Sequence, residues 1–259
     1  MTVGIPQASR VINRMPNLPR FKILIIAALW SGLWAGLLLT AVQRIQVIPT
    51  LLQAEVYEDQ AATTLPVHTH SGNEASQPHQ HEADAWQPQN GWERTAYTAV
   101  ANISLAVGFA LLLGAASNLR GGINNWRNGV LWGLAGYTVF FVAPSLGLPP
   151  EVPGTQAADL KDRQLWWMMA VCDTAAGLWL LAFAKTKTNK FLGLVLLVSP
   201  HWIGAPQPDV HSSAAPAELA QSFIMATALA NALFWLALGG LMGLILSQHH
   251  VSKHNANPQ

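Results

Sequence analysis

Four histidines in the long segment between the first two apolar stretches form two His-x-His pairs. His68 and His70 make one pair, and His79 and His81 make the other. Alternate residues of an extended chain lie on the same face, so both imidazoles of a pair can approach one cation. Neutral imidazole is a ligand that suits divalent cobalt, nickel, zinc and copper. The pattern predicts a metal-collecting loop, and the alternative is a low-complexity linker whose histidines have no ligand role.

Two further polar residues fall inside apolar stretches. Asp173 lies almost at the middle of the stretch 164–184 and is its one ionisable residue. A carboxyl at the centre of a span costs about 2.5 to 3.5 kcal/mol, so it should face protein, a partner or water. This placement favours a functional role over a structural hydrogen bond. His201 follows Pro200, where we expect unwound backbone and an imidazole that faces a cavity, or else a core histidine.

A third group of candidate ligands lies beside prolines in the connecting segments. Glu151 follows Pro149 and Pro150, and Asp209 and His211 form an Asp-x-His pair shortly after Pro206 and Pro208. These side chains could form a vestibule for a cation, or they could be loop caps and solvated charges. The sequence contains no Walker motif, no His-Glu-x-x-His signature and no Gly-x-Ser-x-Gly elbow, so ATP hydrolysis in this chain is not expected.

The composition decides what kind of scaffold must hold these residues. Hydrophobic residues make up 51% of the 259 and charged residues only 10%, against roughly 25% in soluble domains. The formal net charge of +1 supplies no basic surface for nucleic acid. Cys172 is the one cysteine, which excludes a disulfide within the chain and a thiolate-built metal site. The chain is therefore expected to lie in a lipid bilayer.

Six long stretches lack charge or nearly so, and each is a candidate membrane element. A span of about 30 Å needs about 20 helical residues, and the fifth stretch is too short for this and contains Pro200. The sequence predicts an all-α, polytopic transmembrane helical bundle whose fifth element is broken or re-entrant. The stretches are 23–43, 95–119, 128–150, 164–184, 191–206 and 219–247.

The distribution of basic residues predicts the orientation. Ten of them border alternate ends of the six stretches, and no acid accompanies them. We expect a cytoplasmic segment at 1–20, a transmembrane domain at 21–248 with a flexible, aperiodic outer loop at about 55–93, and a cytoplasmic tail at 249–259. Both termini are then cytoplasmic. The ten residues are Arg10, Arg14, Arg20, Lys22, Arg120, Arg127, Lys185, Lys187, Lys190 and Lys253.

Small and amide residues predict how the helices pack. Three glycine pairs have the spacing that allows close helix approach, and Asn102 and Asn231 are expected to hydrogen-bond between helices. The pairs are Gly32 and Gly36, Gly129 and Gly133, and Gly239 and Gly243.

Several blocks in order along the chain resemble one family. From about residue 21 to 246 the chain is similar to the CbtA family of proposed cobalt transporter subunits. The blocks are Ala54-Glu55-Val56-Tyr57-Glu58, Gly91-Trp92-Glu93-Arg94-Thr95, Gly147-Leu148-Pro149-Pro150-Glu151-Val152-Pro153-Gly154, Ala157-Ala158-Asp159-Leu160, Arg163-Gln164-Leu165-Trp166-Trp167, Ser199-Pro200-His201-Trp202-Ile203-Gly204-Ala205-Pro206, Pro216-Ala217-Glu218-Leu219-Ala220 and Leu233-Phe234-Trp235.

The resemblance implies a polytopic subunit that takes up cobalt for cobalamin synthesis together with a small partner, CbtB, which has one span and a His-rich segment. It supplies no family-wide catalytic residues. The His-bearing first loop departs from the family pattern, and the role of its histidines is open.

The leading hypothesis is a permease component, not an enzyme, in the inner (plasma) membrane, with divalent cobalt as substrate and no resident cofactor. The ion would pass Glu151, Asp209 and His211, and then His201 and Asp173. The alternatives are a non-transporting scaffold or metal-delivery partner, transport of nickel or zinc, and a membrane enzyme whose Asp173 and His201 lie within hydrogen-bond reach, directly or through one water.

Overall fold

A computed structural model describes residues 18–64 and 88–255, without the side chains of residues 18–20, 64 and 249–255. The secondary structure in these ranges is helical apart from one isolated bridge, so the all-α prediction is confirmed. Short π-helical turns, Gln43–Val47 and Thr138–Val142, join α1 to α2 and α4 to α5. The helices are α1 (Leu18–Val42), α2 (Ile48–Thr64), α3 (Trp92–Asn118), α4 (Trp126–Tyr137), α5 (Ala143–Ser145), α6 (Leu160–Phe183), α7 (Lys187–Ile203) and α8 (Ala217–Asn255).

Four helical stretches are long and apolar enough to cross a membrane. They are Phe21–Thr63, Trp92–Asn118, Leu160–Phe183 and Ala217–Gln248. The shortest has 24 residues, which at 1.5 Å per residue gives about 36 Å. Six membrane elements were predicted, and the third and fifth are not among the helical stretches that are long and apolar enough to cross. The chain is a multi-pass helical membrane protein with four full candidate spans in the part that the structure describes.

The two shorter elements end for identifiable reasons. The third predicted element was expected to extend to residue 150, but its helix ends at Ser145, ahead of Pro149 and Pro150. The fifth forms α7, a 17-residue helix that ends at Ile203 and is followed by Gly204, whose φ of 86° suits glycine. The predicted break at Pro200 is wrong, because α7 continues through it to Ile203.

The segment predicted as an aperiodic loop at about 55–93 begins later than predicted. Residues 55–64 were expected to lack helical structure, but they form the second half of α2. Ala, Glu and Gln in this segment are good helix formers. Tertiary contacts hold the helix in place: Ala54 packs with Val152 and Phe223 in a buried cluster, and Glu55 forms an ion pair with Arg94 of α3 at 2.9 Å.

Three long helices, α1, α3 and α8, surround the main apolar core. Phe234, Leu238 and Met242 of α8 are almost completely buried there. The glycine predictions are confirmed as positions of close approach. A methyl group on Gly32 would lie 2.6 Å from Val107 Cγ2 on α3, and one on Gly243 would lie 2.7 Å from Trp126 Cα on α4.

Helices α6 and α7 form an antiparallel hairpin beside this core. Gly177 and Gly193 face each other across it, and a methyl group on Gly177 would lie 2.8 Å from the Gly193 carbonyl oxygen. Trp166 connects the hairpin to the rest of the bundle, because its ring lies against Gly147 after α5. Most of the polar candidates of the sequence analysis lie on this hairpin or in the segments beside it.

Candidate functional site

Asp173 lies at the middle of α6, on the seam between α6 and α7. Its Oδ2 accepts a hydrogen bond of 2.9 Å from Ser199 Oγ, and its carboxyl group is partly buried. Asp173 is one helical turn from Gly177, which packs on α7. Within the described ranges no basic side chain is within ion-pair distance of Asp173. The carboxyl group is thus held by a hydroxyl and keeps part of its surface open.

Ser199 is the residue that the sequence analysis missed at this position. Its hydroxyl oxygen is also 3.0 Å from the carbonyl oxygen of Leu196. That carbonyl is four residues before Pro200, which has no N–H to donate to it. A hydroxyl has one proton, so Ser199 donates to Asp173 or to Leu196 at any moment. The signal for this role is the Ser-Pro pair: a hydroxyl next to a helical proline can replace the lost backbone hydrogen bond.

Three oxygen atoms of different chemistry therefore meet at mid-depth of the seam. They are a carboxylate oxygen of Asp173, the Ser199 hydroxyl and the Leu196 carbonyl oxygen. We refer to these three groups as the seam oxygens. Oxygen atoms of these types are ligands for divalent metal ions.

His201 lies two residues after Ser199 on α7. Its ring meets the edge of Trp166, with 6.1 Å between ring centroids, and it is partly buried. Trp166 is seven residues before Asp173 on α6, about 10 Å along the helix axis. No direct hydrogen bond joins Asp173 and His201 in the part of the chain that the structure describes; Asp173 accepts from Ser199, and His201 lies against Trp166.

The vestibule candidates occupy the segments at one end of the bundle. Glu151 forms an ion pair with Arg163 at 2.9 Å, which compensates its charge. Asp209 and His211 are both exposed, and His211 Nε2 lies 3.3 Å from Gln207 Oε1. Among the described residues, no three His, Cys, Asp or Glu side chains are grouped as metal ligands. The vestibule stays a prediction.

The four loop histidines, His68, His70, His79 and His81, lie outside the described residues.

Of the two asparagines predicted to hydrogen-bond between helices, one is confirmed. Asn102 of α3 donates to Thr40 Oγ1 and Gln43 Oε1 at 3.0 and 2.7 Å and so joins two helical segments. The prediction for Asn231 is wrong, because its amide donates to the Thr227 carbonyl in its own helix.

A comparison with known protein families identifies the family of this chain. The sequence profile of the family described as probable cobalt transporter subunit (CbtA) matches residues 21–247. The chain belongs to the CbtA family. No curated protein and no solved structure matches it. The family's description is that of a transporter subunit, which implies partner proteins and a metal substrate.

Proposed function

We propose that this CbtA-family chain is the membrane-spanning subunit of an uptake system for divalent cobalt in the inner (plasma) membrane, with both termini in the cytoplasm. The observation that carries the proposal is the cluster of seam oxygens. Asp173 supplies a negative charge at mid-depth of a candidate span, and Ser199 and Leu196 place two neutral oxygens beside it. Such a cluster compensates a cation that has lost part of its hydration shell.

The charge distribution supports movement of a cation toward this point. Apart from Asp173, the acids of the described residues lie at the end of the bundle that holds the 88–94, 146–163 and 204–218 segments and the end of α2. A surface of this sign raises the local concentration of cations. Glu151, Asp209 and His211 belong to this end, and His201 lies between it and the seam oxygens. We place the extracellular entrance there.

The ligand set of one chain is incomplete, which supports a partner subunit. Divalent cobalt takes octahedral N/O coordination, and the seam supplies one charged and two neutral oxygens, with His201 nearby on α7. Part of the Asp173 surface is open. We propose that a small CbtB-like subunit with one span and a His-rich segment packs here and adds imidazoles. Cobalt is then the transported substrate rather than a resident cofactor.

One observation favours a second candidate, a scaffold that binds metal and delivers it to another complex without transporting it. The sequence contains two His-x-His pairs, His68 with His70 and His79 with His81, whose imidazoles could bind the ion without passing it along Asp173. Purified protein in liposomes separates the two functions. A permease admits labelled cobalt, alone or with the small partner, whereas a delivery scaffold binds cobalt and admits none.

Asp173→Asn tests whether the negative charge among the seam oxygens is needed for cobalt uptake. The asparagine carbonyl can still accept from Ser199, so the fold and insertion should persist while the charge is lost. We expect cobalt uptake in proteoliposomes to fall at least about tenfold, the effect of about 1.4 kcal/mol, with nickel and zinc as competitors to define the substrate.

Asp162→Asn is the matched control for this experiment. Asp162 lies in the first turn of the same helix, outside the seam. Its replacement should lower uptake far less than Asp173→Asn does, because it removes one of the nine other described acids and leaves the seam oxygens intact. Normal cobalt uptake by Asp173→Asn would remove the seam oxygens from the pathway.

A further inference from the structure

A second feature of the bundle lies on the opposite side of α6 from Asp173. A cavity of about 800 Å³ opens between α3, α4 and α6. Its walls are mostly apolar and include Phe109, Leu112, Leu131, Phe140, Leu178 and Trp179. Leu112 and Leu131 are 51% and 63% exposed, so the cavity is open on the outer surface of the bundle. In a membrane this surface faces acyl chains.

One end of the cavity is polar. Arg120, Asn124 and Asn128, from the α3–α4 segment and the start of α4, line it there. The guanidinium carbon of Arg120 lies 4.4 Å from the Phe183 ring centroid and 5.1 Å from that of Trp179. Its Nη2 donates to the Phe183 carbonyl oxygen at 3.4 Å. These contacts fix the guanidinium at the mouth of the cavity.

The fixed guanidinium keeps capacity for an anion. Arginine has five N–H donors. The hydrogen bond from Arg120 to the Phe183 carbonyl oxygen engages one nitrogen of this exposed side chain. An arginine stacked on rings still offers its edge to phosphate in a bidentate manner. The surrounding charge has the same sign, because segments 119–128 and 184–190 contain no acid. Their basic residues are Arg120, Arg127, Lys185, Lys187 and Lys190.

We propose that this cavity binds an anionic phospholipid, with an acyl chain between α3, α4 and α6 and the phosphate on Arg120. Asn124 and Asn128 supply amide hydrogen-bonding groups beside the phosphate. Basic pockets between transmembrane helices bind anionic head groups in this way. The phosphate of a lipid matches the basic end of the cavity, where the neighbouring segments contain no acid, and flexible acyl chains conform to its apolar walls. The site is independent of cobalt transport.

Binding of phosphatidylglycerol to the purified full-length protein tests the proposal, with phosphatidylcholine as the neutral comparison. Native mass spectrometry counts the bound lipids. Arg120→Gln should weaken phosphatidylglycerol binding about fivefold and leave phosphatidylcholine unaffected. Arg127→Gln is the matched control, because Arg127 lies over Trp126 in the same segment but does not line the cavity.

Ala175→Leu is a second variant that leaves Arg120 intact. Ala175 is an exposed residue that lines the cavity, and a larger side chain should displace the acyl chain and lower lipid occupancy. Melting curves identify any variant that fails to fold. Equal weakening by Arg127→Gln, equal binding of phosphatidylcholine, or a co-purified polypeptide helix that blocks the cavity in place of lipid would each overturn the proposal.

Discussion

At the scale of single residues, Ser199 couples the two polar groups of the α6–α7 seam. Its one proton can satisfy either the carboxylate of Asp173 or the Leu196 carbonyl that Pro200 leaves without a donor. A cation on Asp173 would compensate the carboxylate and release the hydroxyl for Leu196. The same side chain therefore serves the fold of α7 and the proposed metal site.

Ser199→Ala removes this hydroxyl and leaves two acceptors without a donor. Hydrogen bonds between helices in a membrane contribute about 0.6 to 2 kcal/mol, so we expect a lower melting temperature in detergent. Ser199→Thr keeps a hydroxyl and should melt close to the parent protein. A melting temperature of Ser199→Ala equal to that of the parent would show that the hydroxyl does not stabilise the seam.

At the scale of helices, glycine pairs decide which elements approach closely. The α4–α8 contact has glycine on both sides, so that Gly129 and Gly133 meet Gly239 and Gly243. Backbone atoms of one helix then touch backbone atoms of the other, and no side chain can move aside to make room. This contact holds α4, the first 12 residues of a helical segment that continues through the π-helical turn and α5 to Ser145.

Gly129→Ala places a methyl group against the Gly239 carbonyl oxygen. Overpacking of this kind costs about 1 to 3 kcal/mol, so we expect a clear loss of thermal stability. Gly240→Ala is the matched control in α8, because its methyl group meets Val130 Cγ2 at 3.6 Å, an ordinary contact. Alanine is the better helix former by about 1 kcal/mol, so this variant should be as stable as the parent or more stable. Equal destabilisation by both would contradict the packing described.

Charge-free stretches in the sequence predicted where the helices lie but not where they end. The first was expected to end at Arg44, yet the helix continues through a π-helical turn to Thr64. A charge limits the apolar length of a helix without terminating its backbone, and the contacts of Ala54 and Glu55 that hold α2 are tertiary. At Pro200 the sequence predicted a break where the structure has continuous helix. The Ser199 hydroxyl can donate to the Leu196 carbonyl oxygen in place of the missing proline N–H, and α7 continues to Ile203.

Only part of the candidate site could be predicted from the sequence, because the rest depends on how the helices pack. Asp173 is conspicuous because any carboxyl at mid-span is costly. Ser199 is 26 residues away along the chain, and only the register of the α6–α7 hairpin brings the two together. In the sequence, Arg120 was only one of the basic residues that predict membrane orientation. Its contact with Phe183 and Trp179 depends on the packing of α6 beside α4, which the sequence does not reveal.

At the scale of the whole molecule, the connecting segments fall into two groups at opposite ends. Arg120 donates to the Phe183 carbonyl oxygen, which places the α3–α4 and α6–α7 segments at one end. Gln156 N donates to the Ser212 carbonyl oxygen, and Thr155 bridges Ser213, which brings the segments before α6 and before α8 together. The chain alternates between these ends, including at α4 and α7. This alternation supports the proposal that basic segments face the cytoplasm.

Ser212→Cys and Thr188→Cys report the two ends directly. Both residues are exposed in segments at opposite ends of α7, and Cys172→Ser provides the background because Cys172 is itself exposed. A membrane-impermeant maleimide should label Ser212→Cys in intact cells and Thr188→Cys only after the membrane is opened. The difference follows because α7, although it has 17 residues, connects the two groups of segments. Labelling of both positions only after the membrane is opened would mean that α7 does not cross and that the proposed entrance at Asp209 and His211 lies on the cytoplasmic face. Labelling of both positions in intact cells would contradict the cytoplasmic position of the α6–α7 segment.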